Sequence, residues 1–146
     1  MRSLVASAGA QERVQVDSAG TGGWHVGSAP DARAGAAAAA RGIRLTGSAR
    51  RVRPEDYEEF DLLLAMDASN LSDLRAGAPG PRERAKVRLL REFDPASAAG
   101  DGRAGAGDLD VPDPYYGGER GFEHVLDLVT AACQGLLAQI LAEPPA

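Results

Sequence analysis

The run Phe60-Asp61-Leu62-Leu63-Leu64-Ala65-Met66 is apolar at nearly every position and stops at an acid, Asp67. Such a run reads as a strand whose two faces are both covered. A covered strand needs a layer above and a layer below, and that need narrows the folds open to the chain. Asp67 with Asn70 reads as the cap of a helix over 68–75, the carboxylate accepting from free amides of the first turn.

The rest of the chain alternates in the same sense. Val14-Gln15-Val16 reads as a short strand and Asp17-Ser18-Ala19-Gly20-Thr21 as the turn that ends it. Residues 30–41 form an alanine-rich helix, with Pro30 and Asp31 suited to its start and Gly42 to a left-handed stop. Residues 54–60 read as a short helix opened by Pro54, and 86–90 as a third strand. Residues 2–10 are compatible with a helix that has no start signal of its own. From 94 to 110 the chain is rich in Gly, Ala, Asp and Ser and reads as a loop. Between 121 and 142, Phe122, Val125, Leu126, Val129, Cys133, Leu136, Leu137 and Ile140 make one stripe on a long helix.

Strands alternating with helices predict an α/β fold: a three-layer sandwich with a central parallel sheet and helices on both faces. In such sheets a ligand sits beyond the carboxyl ends of the strands. The loops after Val16, Met66 and Leu90 are expected on that edge.

At 146 residues, 44% of them hydrophobic, the chain fits a single domain over 1–146 with room for a core. Its net charge of −5 argues against a nucleic-acid partner, which favours a basic face. Cys133 is its one cysteine, so no internal disulfide can form and a cytoplasmic location is expected. No apolar run approaches the roughly 18 residues of a membrane span. No membrane partner is expected, and residues 1–10 lack the apolar region of a signal peptide. The oligomeric state is not legible.

Asp113-Pro114-Tyr115-Tyr116-Gly117-Gly118 carries the strongest chemical signal. Pro114 fixes its own φ and biases Asp113 toward extended backbone. A carboxyl on such a stiff loop suits a general acid, and two tyrosines beside it offer flat walls to an aromatic group. A proline turn with two half-buried tyrosines fits the same residues. Trp24, in the glycine-rich Gly22-Gly23-Trp24-His25-Val26-Gly27, either packs on the core or lines a pocket. His25 and His124 read as ordinary surface histidines. Cys133 lies on the apolar stripe and reads as a small hydrophobe. No His, Cys, Asp and Glu cluster has metal-ligand spacing, so neither metal nor cofactor is expected.

Taken together, Asp17-Ser18-Ala19-Gly20-Thr21, Trp24-His25-Val26-Gly27, Ala49-Arg50, Lys86-Val87, Met66-Asp67-Ala68-Ser69-Asn70 and Asp113-Pro114-Tyr115-Tyr116 resemble the low molecular weight protein-tyrosine-phosphatases of bacterial type. The resemblance runs from about Leu4 to Leu137. It implies hydrolysis of a phosphotyrosine protein or an aryl phosphate through a phosphocysteine. It implies Asp113 as general acid and base, Trp24, Tyr115 and Tyr116 flanking the phenyl ring, and Ser18 supporting the phosphate loop.

Two departures accompany it. No Cys-x5-Arg loop is present, so neither nucleophile nor phosphate clamp can be assigned, and the chain as written is expected to be inactive. Gly47 stands where the family often has a histidine. The expectation is therefore an N-terminally truncated domain whose first strand is missing. The Val14 and Leu62 strands would then face each other across a gap. Buried unpaired backbone groups cost about 1–3 kcal/mol each, against a total stability of about 5–15 kcal/mol. A catalytically inactive phosphatase-like remnant or binding module, arsenate reduction on the same scaffold, and an unrelated α/β binding module are the other readings.

Overall fold

A computed structural model of the chain describes residues 1–23, 26–98, 109–113 and 118–143, the side chains at 98 and 118–120 excepted. Its elements are α1 (Arg2–Ser7), α2 (Ala32–Ala39), α3 (Asp56–Glu59), β1 (Leu63–Ala65), α4 (Ala68–Gly77), α5 (Pro81–Ala85), β2 (Val87–Leu89), a 3-10 turn (Leu90–Phe93), α6 (Pro95–Ala98) and α7 (Gly118–Ala142).

β1 and β2 pair in parallel, with Leu63 opposite Val87, Leu64 opposite Arg88 and Ala65 opposite Leu89. Side chains alternate along β1, as a pleated strand requires. Leu63 and Ala65 enter a cluster with Tyr57, Leu74, Val87 and Leu89, under α3 and α4. Leu62 and Leu64 turn to the other side, against Leu90, Phe93, Ala132, Cys133 and Leu136. The strand is thus covered on both faces, and the α/β sandwich follows. A third cluster of Val5, Ala10 and Leu137 seals α1 onto the end of α7, with Val14 and Val16 packed beside it.

The helix boundaries follow local chemistry. The Asp67 carboxylate accepts from the Asn70 amide at 2.7 Å and starts α4. Asp31 accepts from the Arg33 and Ala34 amides and starts α2. Beyond α2, Gly42 takes φ 76°, which glycine reaches without steric cost. Pro81 opens α5, where its missing N–H costs nothing.

Three expectations need correction. Val14–Val16 is not a strand, because no backbone among the described residues ladders with it. The Val16 carbonyl is instead held by the Arg2 guanidinium at 2.9 and 3.1 Å. Parallel pairing resumes only at a single bridge between Gly20 and Arg51. The strand expected over 86–90 ends at Leu89, and Leu90 opens the 3-10 turn, which carries Leu90 and Phe93 toward α7. The start of the expected loop over 94–110 is helical, since Asp94 accepts from the Ala96 amide at 2.9 Å and begins α6. Residues 99–108 lie outside the described ones.

The stretch Gly121–Ala142 has a mean hydropathy of 1.7, enough by length and composition to cross a membrane. The sequence hides this because Glu123, His124 and Asp127 interrupt the run. In the fold its stripe faces the core: Phe122, Cys133, Leu136 and Leu137 are buried. Arg41 binds Glu123 and Asp127 on its polar side and ties it to the end of α2.

Gly135 sets how closely α7 approaches the 3-10 turn. A Cβ there would lie 1.9 Å from the Phe93 carbonyl oxygen and 3.1 Å from Pro95 Cδ. Backbone cannot yield as a side-chain end can, so Gly135→Ala should lower stability by about 1–3 kcal/mol through overpacking. Urea unfolding measures this, and an unchanged midpoint would contradict the close approach.

Candidate active site

Three loops meet beyond the carboxyl end of β1, and named bonds join them. The Val111 amide donates to the Met66 carbonyl at 2.7 Å, anchoring the segment that leads into Asp113. The Asp110 carboxylate accepts from the Ala68 amide at 2.8 Å, so it shares with Asp67 the free amides at the start of α4. The Asp110 carbonyl accepts from Arg91 at 3.0 Å, which ties the same segment to the turn after β2. From the other side, the Asn70 side-chain amide reaches the Thr21 hydroxyl at 3.5 Å, a long bond that links α4 to the 17–21 loop.

The 17–21 loop is held by Arg50. Its guanidinium donates to both Asp56 oxygens, at 2.9 and 3.1 Å, and to Asp17 at 3.1 Å. The fork geometry of arginine suits this two-sided role, and a lysine could not copy it. Asp56 is 3% exposed and also accepts from the Arg53 amide at 2.8 Å. The other Asp17 oxygen accepts from the Ser18 amide at 2.8 Å. The main-chain bonds Gly20 N–H to Arg50 carbonyl (2.8 Å) and Val52 N–H to Gly20 carbonyl (2.9 Å) clamp the same loop. Ser18, Ala19, Gly20, Gly22, Val26, Ala49 and Arg50 line an open cleft of about 370 Å³.

The charges respond to these contacts. The Arg50 hydrogen bonds hold the Asp56 carboxyl below the usual range, against the opposing effect of burial. Asp17 is lowered chiefly by the Ser18 amide, with Arg50 adding to it. Arg50 is raised, first by its bonds to Asp56.

Of the residues expected at the site, Ser18 is exposed on the cleft and Asp113 is exposed on the segment anchored at Met66. Trp24, Tyr115 and Tyr116 lie outside the described residues. Among the described residues no group of three His, Cys, Asp or Glu side chains could hold a metal. Cys133 is buried. Arg50, Asp56 and Asp110 were missed. Arg50 was legible only as half of an Ala-Arg pair, Asp56 only as an acid near a helix start, and Asp110 only as part of a loop.

The family model for low molecular weight phosphotyrosine protein phosphatases matches residues 1–145. The chain belongs to that family. It is therefore kin to protein phosphatases, a class of hydrolases. A low molecular weight protein-tyrosine-phosphatase of Streptomyces coelicolor is 49% identical over 139 residues, covering 95% of this chain and 80% of the relative. The crystal structure of YfkJ from Bacillus subtilis superposes with a TM-score of 0.80 at 35% identity, covering 96% of this chain and 81% of that one. A protein tyrosine phosphatase of Entamoeba histolytica, with Hepes in its active site, gives a TM-score of 0.83 at 29% identity and covers 96% and 83%. These neighbours share the α/β sandwich found here.

The Arg50 network makes a pH prediction. Asp17 and Asp56 have lowered values when folded, so their contribution to stability is complete above the ordinary value of 3.8. It is lost as pH falls through the lower, folded-state values. Asp56→Ala should cost about 3 kcal/mol at neutral pH, because it leaves Arg50 partly desolvated with half its partners. The gap between variant and parent should close on acidification. A gap that stays constant from neutral to acid pH would show that the carboxylate charge is not what Asp56 contributes.

Proposed function

We propose that the chain is the N-terminally truncated form of a single phosphatase-like domain that hydrolyses phosphotyrosine in proteins, and simple aryl phosphates, through a phosphocysteine whose thiol these 146 residues do not supply. A thiolate attacks phosphorus while the bond from phosphorus to the tyrosine oxygen breaks. Asp113 gives its proton to the leaving oxygen. It then takes a proton from the water that attacks phosphorus, the phosphorus–sulfur bond breaks, and the thiolate is restored. Trp24, Tyr115 and Tyr116 flank the phenyl ring, and Ser18 supports the phosphate-binding loop.

The observation that carries this reading is the convergence at the end of β1. The Asn70 to Thr21, Ala68 to Asp110 and Val111 to Met66 bonds join the 17–21 loop, which holds Ser18, and the segment that leads into Asp113 to the start of α4. Family membership supports the reaction class.

Cys133 is not the nucleophile in this proposal. It is 5% exposed in the cluster with Leu90, Phe93, Ala132 and Leu136, where a phosphate ester cannot reach the sulfur. The nucleophile and its arginine clamp then belong to polypeptide outside these 146 residues. The same burial disfavours arsenate reduction, which needs accessible thiols to resolve an adduct.

The test is Asp113→Asn in the natural polypeptide that carries the thiol. Turnover of phosphotyrosine, whose leaving group needs a proton, should fall by about 10²–10⁴-fold. Turnover of p-nitrophenyl phosphate, with its better leaving group, should fall much less. Equal losses would remove Asp113 from the acid role. Turnover by the 146-residue chain alone would sink the external thiol.

A further inference from the structure

A second cleft, of about 470 Å³, opens beside the first. Thr21, Arg51, Arg53, Pro54, Tyr57 and Asp73 are among the residues that line it. The two clefts sit on either side of the bridge between Gly20 and Arg51. Successive side chains on extended backbone point to opposite faces, so Arg50 borders one cleft and Arg51 the other. Thr21 lines the second cleft and also bonds Asn70, at the meeting point of the three loops.

The floor of this second cleft is stiff. Tyr57 is 3% exposed and its hydroxyl donates to the Leu74 carbonyl at 2.7 Å. Pro54 limits the backbone of the rim. The rim itself is basic. Arg51 is exposed and has no ion-pair partner among the described residues, and Arg53 has only Asp56, at 3.9 Å. That Asp56 oxygen pair is already engaged by Arg50. Asp73 is the one acid on the lining and is exposed on α4. Two guanidiniums with little carboxylate contact thus lie on one rim, in a chain of net charge −5.

We infer that this cleft is a binding site for the acidic flank of a peptide substrate, with Arg51 and Arg53 taking carboxylates of residues beside the phosphotyrosine. The inference rests on the proposed phosphatase reading for the phosphotyrosine itself. The chemistry is that of arginine with carboxylate: a planar fork meeting two oxygens, at a solvent-exposed rim where each pair is worth a few-fold and weakens with salt. Asp73 tempers the site and sets a preference for carboxylates that approach from the Arg51 and Arg53 side.

The test compares phosphotyrosine peptides with Asp and Glu flanks against matched peptides with Lys flanks, in the natural polypeptide and its Arg51→Glu, Arg53→Glu double variant. The parent should favour the acidic peptide by about 3–10-fold in kcat/KM, and the double variant should lose or invert that preference. Turnover of p-nitrophenyl phosphate, which has no flank, should not change. A parent without flank preference, or a preference that survives the double substitution, would overturn the site while leaving the phosphatase reading intact. A second readout needs no turnover. Titration with an unphosphorylated Asp- and Glu-rich peptide should shift the amide resonances of Thr21, Arg51 and Gly77 in the parent and not in the double variant. If no phosphate ester is hydrolysed yet these shifts appear, the phosphatase reading fails and the acidic-peptide site stands. If they are absent from the parent, the site fails.

Discussion

Leu62 to Ala65 bury side chains alternately on two opposite faces, and a segment so placed is stable only between two apolar layers. Everything else is arranged around that. Tyr57 and Leu74 supply one layer, and the Cys133 and Leu136 stripe of α7 supplies the other. A fully buried leucine is worth about 1.5–3 kcal/mol, so Leu63, with the half-buried Leu62 and Leu64 adding a part of that each, outweighs the local preference of the backbone. Once both faces are closed, the carboxyl end of β1 is where the chain can leave the sandwich. Met66, 39% exposed, marks that exit. The loops that carry the candidate chemistry meet there because the ordered strand ends there.

A meeting of loops is not yet a site, since loops left to themselves sample many shapes. Arg50 supplies the order on one side. One guanidinium joins Asp17, at the head of the 17–21 loop, to Asp56, at the start of α3. The anchoring end is buried and the loop end is exposed. The strong half of the network therefore fixes the arginine and the arginine fixes the loop. Asp110 does the corresponding work on the other side, holding the approach to Asp113 against the first turn of α4. Both devices use charge-assisted bonds to groups that water would otherwise have to satisfy.

What could be read from the sequence was what depends on neighbours in the chain. The cap at Asp67, the left-handed Gly42 and the stripe on α7 all express local geometry, and each stands in the structure. The two-faced burial of β1 was legible for the same reason, because a short apolar run allows few other homes. Val14–Val16 failed because a strand is a property of a pair, and alternation in one segment says nothing about its partner. Arg50 failed because Asp17 lies 33 residues away from it, and nothing in either segment marks the other. Asp110 was lost inside a stretch whose composition reads as loop, although its carboxylate completes a helix cap 42 residues earlier. Gly135 gave no signal either: a glycine inside a helix reads as a weakness until the Phe93 carbonyl is seen against it.

The two clefts have a consequence for how their energies combine. Arg50 and Arg51 are adjacent on one stretch of backbone, and that stretch is hydrogen-bonded to Gly20 on both sides of the bridge. Those bonds are made by the Arg50 carbonyl and the Val52 amide, not by the Arg51 side chain. Substitutions in contact or in one network depart from additivity by about 0.5–3 kcal/mol, whereas distant ones add. The two clefts thus share a backbone frame, and a change confined to the Arg51 side chain leaves the bonds of that frame in place. The frame is stiff where it must resist, at Asp56 and Tyr57, and open at the two rims. The same few bonds thus order both rims.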